Sequence, residues 1–119
     1  MEGWLEKQGH TFKTWKRRWV VLEPSEDNEN NFTLAYYVDE SRSVKKGEFI
    51  IALDSAVTNL VDGYASGRNN LFALQAEGSS KKNFLLMSAP TEEIKNTWII
   101  EIERAVETLR ERAELQWQT

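Results

Sequence analysis

Five of the fifteen lysines and arginines in this 119-residue chain fall within its first 22 positions: Lys7, Lys13, Lys16, Arg17 and Arg18. Only Glu2 and Glu6 oppose them there, so this stretch carries +3, the other 97 residues carry −7, and the chain as a whole carries −4. Such side chains hold anions. Arginine presents parallel N–H donors to an oxyanion, and lysine supplies a mobile point charge. A local positive patch attracts an anion even when the whole molecule repels it, because salt limits the reach of distant charge to about 8–10 Å. On charge alone, a solvated basic face with no ligand accounts for the same residues equally well.

Composition removes other chemistries. Cysteine is absent, which excludes disulfide scaffolds, zinc–thiolate sites and thiol nucleophiles. With His10 the only histidine, no metal site is expected, and nothing calls for a cofactor. A net negative charge argues against nucleic acid as a partner. No nucleophile elbow, phosphate loop or spaced carboxylate pair occurs, so no enzymatic activity is expected. The longest apolar run covers 49–53, far short of the roughly 20 residues of a membrane span. No basic-then-apolar segment opens the chain, and glycine is third rather than second, so neither a secretory signal nor an N-myristoyl signature is read here. A hydrophobic fraction of 40% in 119 residues fits one globular domain. The expectation is a soluble, cytoplasmic, monomeric unit.

The elements that must position the cations are short strands. Runs at 3–7, 16–22, 32–38, 48–53, 56–60, 71–76 and 83–87 are rich in aromatic and β-branched residues and separated by turn-forming stretches. The segment 24–31, with Pro24, Ser25, acids and three asparagines, reads as an exposed loop, and 77–80 as the turn of a last hairpin. The period then changes. Thr91 is placed to cap a helix whose apolar stripe is Ile94, Trp98, Ile102, Ala105, Val106 and Leu109. The fold class is therefore mainly β: a seven-stranded antiparallel sandwich or barrel, capped by a long C-terminal helix. Trp4, Trp19 and Trp98 are expected in its core.

That succession resembles a pleckstrin homology domain over nearly the whole chain. The matching pieces are Gly3-Trp4-Leu5-Glu6-Lys7-Gln8-Gly9, Lys13-Thr14-Trp15-Lys16-Arg17-Arg18-Trp19-Val20-Val21-Leu22, Ala35-Tyr36-Tyr37, Lys46-Gly47 with Ile50-Ile51-Ala52-Leu53, Leu71-Phe72-Ala73-Leu74, and the helix with Trp98. The domain is placed at 1–113, with 114–119 a helix extension or linker. The basic stretch is most similar to members that bind 3-phosphorylated phosphoinositides, of the cytohesin, protein kinase B and tandem-PH adaptor types. The resemblance implies a head-group site of Lys7, Lys13, Lys16, Arg18, Tyr37 and Lys46. It also implies recruitment to the cytosolic face of membranes by the 3,4,5-trisphosphate or 3,4-bisphosphate. A protein-interaction domain of the same fold, without specific lipid binding, is the alternative.

Residue physics supports the carry-over. Lys16 and Arg18 are two apart on a strand and project to one face, Arg17 to the other. Charge-assisted bonds contribute roughly 1.5–3 kcal/mol each, so at the upper end of that range three of them come to about the 8 kcal/mol of a micromolar site, before association costs. Phe12, at the tip of a basic loop, is placed either as an interfacial anchor or folded back on its own loop. Arg17 is read as a surface pair or membrane contact, Trp15 as packing beneath the loop or lying near lipid, and His10 as a bystander or a pH-dependent neighbour. Lys81 and Lys82, in the last hairpin, are read as a solvated turn or lipid contacts. Two departures stand out. The acidic connection Glu23, Glu26, Asp27 and Glu29 is longer than usual, and the insertion that cytohesin-type members carry before the last strand is missing.

Overall fold

Alternation of apolar and polar side chains decides which face of each strand turns inward, and one β-ladder joins all seven. The computed structural model describes residues 1–65, 67–76 and 83–118. The expected turn at 77–80 and the pair Lys81 and Lys82 lie outside the described residues. The strands are β1 (Glu2–Gln8), β2 (Trp15–Pro24), β3 (Phe32–Tyr37), β4 (Lys45–Ile51), β5 (Ala56–Asn59), β6 (Leu71–Gln75) and β7 (Phe84–Ser88), followed by α1 (Glu92–Gln118). The sheet order is β4-β3-β2-β1-β7-β6-β5, and every pairing is antiparallel. Seven strands and one C-terminal helix are the architecture expected from the sequence.

One core fills the inside of this sheet. Leu5, Val20, Leu34, Ile51, Phe72, Leu74, Leu85 and Met87 come from six strands and are nearly inaccessible to water. From α1, Trp98, Ile102, Val106 and Leu109 complete it, and the helix lies on β5 and β6. Its start is capped as expected: the Ile94 N–H donates to Thr91 Oγ1 at 3.1 Å. Trp98 is 1% exposed and reaches the bare backbone of Gly3, where an added Cβ would meet its ring at 3.7 Å.

Trp4 and Trp19 are not in that core. Their neighbours Leu5 and Val20 point inward, so parity sends both tryptophans to the outer face. There they stack edge-to-face at 5.3 Å between centroids. Trp15 packs against a second, smaller cluster of Leu71, Ala73 and Leu86. A bulge lengthens β4 beyond the expected 48–53: Gly47 faces Tyr36, Lys45 faces Tyr37, and Lys46 is the extra residue between them.

Candidate functional site

The site is built where the inward face of the sheet runs out of core. On β1, Leu5 is buried and the next inward residue is Lys7. On β2 the inward series runs outward from Leu22 and Val20 to Arg18 and Lys16. Lys7 stands directly opposite Lys16, and Arg18 directly opposite Leu5. Residues opposite one another in an antiparallel ladder share a face, so the register gathers the three cations at the mouth of the barrel.

Each cation there lacks a carboxylate. Among the described residues, no ion pair involves Lys7, Lys16 or Arg18. Glu6, the acid nearest in sequence, is on the outer face and is held by Arg68, Nε to Oε2 2.7 Å. The Arg18 guanidinium donates to the Arg17 carbonyl at 3.1 Å, and Lys7 Nζ donates to the Gln8 carbonyl at 3.3 Å. Burial, and then the neighbouring Arg18 charge, hold the Lys7 ammonium below the ordinary lysine value of 10.5. Partial burial and a neighbouring like charge both work against the charged ammonium.

Tyr36 completes the mouth. It lies opposite Val20, inward-facing like Leu34 two residues before it. The Lys7 ammonium sits over its ring at 4.8 Å from the centroid. Burial, ahead of the opposed influences of Arg18 and Glu48, raises its phenol above 10, so the hydroxyl remains a donor at neutral pH. Tyr37, expected at the site, lies opposite Trp19, on the outer face of the sheet. Parity could have separated the two tyrosines, because Leu34 is the anchor of the core face and Tyr36, not Tyr37, is in step with it.

The other expected positions are dispersed around this mouth. Lys13 and Phe12 are in the exposed β1–β2 loop, and Phe12 is 78% accessible. That loop is fastened by Gly9 N–H to the Thr14 carbonyl, 2.9 Å, and by His10 Nε2–H to the Phe84 carbonyl, 2.7 Å. Lys46, exposed at the bulge, is one residue from Gly47, which faces Tyr36. Lys45, its neighbour, is engaged by Glu48 at 2.9 Å. That bond, with further negative charge from Glu48 and Glu26, keeps its ammonium above 10.5. Arg17 is on the outer face, stacked on Trp4 at 3.9 Å.

The acidic loop avoids the mouth. Glu23, Glu26 and Asp27 border a concavity of about 300 Å3 on the outer face of β2, β3 and β4, together with Tyr37, Lys45 and Glu48. The sheet separates these carboxylates from the cations. A second outer-face cavity of about 530 Å3 lies beside Arg17 and the Glu6–Arg68 pair. Two of its polar side chains are engaged internally: Ser88 Oγ donates to the Asn69 carbonyl and Asn70 Nδ2 to the Ala89 carbonyl. The mouth is where unpaired positive charge gathers.

Comparison with known proteins agrees with this architecture. A family model described as PH domain matches residues 1–107. Switch-associated protein 70 from Gallus gallus is 32% identical over 109 residues, covering 92% of this chain and 16% of the relative's length. Pleckstrin homology domain-containing protein 1 from Arabidopsis thaliana is 31% identical over 107 residues, covering 87% of this chain and 66% of that protein. Among solved structures, the C-terminal PH domain of pleckstrin in complex with D-myo-Ins(1,2,3,5,6)P5 superposes with a TM-score of 0.68 at 27% identity, covering 89% of this chain and 93% of that one. The strand order, the helix over the barrel and the match across residues 1–107 together establish that the chain belongs to the PH domain family.

Proposed function

We propose that this domain binds phosphoinositides through the barrel mouth and recruits the protein that carries it to anionic membranes. Lys7, Lys16 and Arg18 hold phosphates of the inositol head group, and the Tyr36 hydroxyl donates to one of them. Lys13 in the β1–β2 loop and Lys46 at the bulge close the two sides. The 3-phosphorylated lipids, the 3,4,5-trisphosphate or 3,4-bisphosphate, are the favoured ligands. Phe12 is the apolar contact with the bilayer, and Arg17 adds attraction to anionic lipid, about 1 kcal/mol for a basic residue near the surface.

The observation that carries this reading is the gathering, on the inward face of β1 and β2, of three cations with no carboxylate partner among the described residues. The inositol pentakisphosphate complex of the pleckstrin C-terminal PH domain is consistent with it. Titration calorimetry with a panel of soluble inositol phosphates, followed by sedimentation with phosphoinositide vesicles, tests it. Binding that tracks phosphate number and position, and is lost in Arg18→Ala, is expected. A protein that ignores every inositol phosphate refutes it.

A further inference from the structure

Gly47 sits inside a strand, where glycine weakens the ladder, and its backbone is not among the left-handed glycines. Conformation therefore does not require it. A neighbouring side chain does. A Cβ built on Gly47 would lie 2.5 Å from the Tyr36 hydroxyl oxygen, 2.7 Å from Cζ and 2.9 Å from Cε2. The phenol end of Tyr36 already fills the space that any side chain at position 47 would take.

The same ring carries the Lys7 ammonium at 4.8 Å from its centroid. Lys7 comes from β1 and Gly47 from β4, so Tyr36 links two strands that are not neighbours in the sheet. The bulge at Lys46 sets this contact, because it determines that Gly47, and no side-chain-bearing residue, faces Tyr36.

We propose that Gly47 is a positioning residue for the anion site: by leaving Tyr36 its place against the β4 backbone, it fixes the ring that holds Lys7 at the mouth. This rests on the reading of the mouth as an anion site. A methyl group at 47 drives the phenol off the backbone, moves the hydroxyl donor and removes the aromatic face from under the ammonium. Gly47 touches no ligand; it acts through Tyr36 and Lys7.

Two readouts separate the positioning role from the site's function. One is the ring-current shift of the Lys7 Hε protons by NMR, which needs no ligand. The other is calorimetric affinity for soluble inositol 1,3,4,5-tetrakisphosphate. In Gly47→Ala the Lys7 upfield shift is expected to vanish and affinity to fall at least tenfold. In a Tyr36→Ala background, where the collision is removed, adding Gly47→Ala is expected to change affinity less than twofold. That comparison also decides the matter if Gly47→Ala alone does not fold. A Gly47→Ala protein that keeps both the Lys7 shift and wild-type affinity overturns the proposal, as does a further loss of affinity in the Tyr36→Ala background. If the wild type binds neither the tetrakisphosphate nor any other soluble inositol phosphate, the anion-site reading fails, and the Lys7 shift still settles whether Gly47 positions the ring.

Discussion

Lys7 and Lys16 face one another directly across the β1–β2 ladder, and neither has a carboxylate partner among the described residues. Like charges in directly opposite positions weaken a sheet. Arg18 is a further like charge beside them; burial first, and then Arg18, hold the Lys7 ammonium below its ordinary value. A local rule broken this way marks a surface arranged for something other than stability.

Removing one of these cations should therefore separate binding from folding. Lys16→Ala and Arg18→Ala are each expected to weaken inositol phosphate binding on the order of 10- to 100-fold, the range of one charge-assisted bond. The melting temperature of Lys16→Ala should be unchanged or slightly higher. Calorimetric titration beside thermal unfolding checks both, and wild-type affinity in the two variants would refute the site.

The two adjacent tyrosines should respond differently. Tyr36→Phe removes a hydroxyl at the mouth and is expected to lower affinity several-fold, whereas Tyr37→Phe, on the outer face opposite Trp19, should bind like the parent. The reverse ranking would mean that the head group approaches the other side of the sheet.

Lys7 sets the pH dependence. Its folded-state value lies below the ordinary 10.5, and in the proposed site it is the charged form that holds the anion. Affinity should fall as pH rises through that depressed value, earlier than an ordinary lysine would allow. The stability effect has the opposite sign. Folding is disfavoured while Lys7 is charged, and the penalty is relieved as pH climbs from the folded value toward 10.5. Lys7→Met should thus be more stable than the parent at neutral pH, with the gap narrowing in alkali. Denaturant melts across the alkaline range, paired with binding titrations, report both trends.

Neutralising the acidic loop should matter little to binding. Glu26→Gln with Asp27→Asn alters charge on the outer face of β2–β4, across the sheet from the cations, and is expected to change affinity less than about threefold at physiological salt, where screening acts over roughly 8 Å. A larger gain in vesicle binding would show that the loop opposes the approach to membranes.

The tryptophans provide a test of the core. Trp98, 1% exposed, should cost about 3–5 kcal/mol as Trp98→Ala. Trp117, 91% exposed, should cost less than about 0.5 kcal/mol as Trp117→Ala. Urea unfolding measures the contrast.

Much of this molecule is legible in its sequence. Strand alternation places Leu5, Val20 and Leu34, and the helical stripe places Trp98, Ile102, Val106 and Leu109, so the pattern of strands and helix follows from period, and the family resemblance supplies the rest of the fold. Spacing also puts Lys16 and Arg18 on one face. Bulk and parity compete in two of the strands. Trp4 and Trp19 look like core residues by size, yet alternation with Leu5 and Val20 turns them outward. Tyr36 and Tyr37 are adjacent in sequence, and Leu34 fixes the phase that turns Tyr36 inward. The role of Gly47 has no local signal: it depends on a bulge at Lys46 that sets the register of β4, and on a ring that arrives from the strand alongside.

The inward face changes from hydrocarbon to charge within one step, from Leu5 to Lys7 and from Val20 to Arg18. Evolution can consequently rewrite what this rim grips while the scaffold beneath keeps its shape. A lineage that exchanged these few side chains would retain the same barrel with a different charge at its rim, so sharing the scaffold is no guarantee of sharing a ligand.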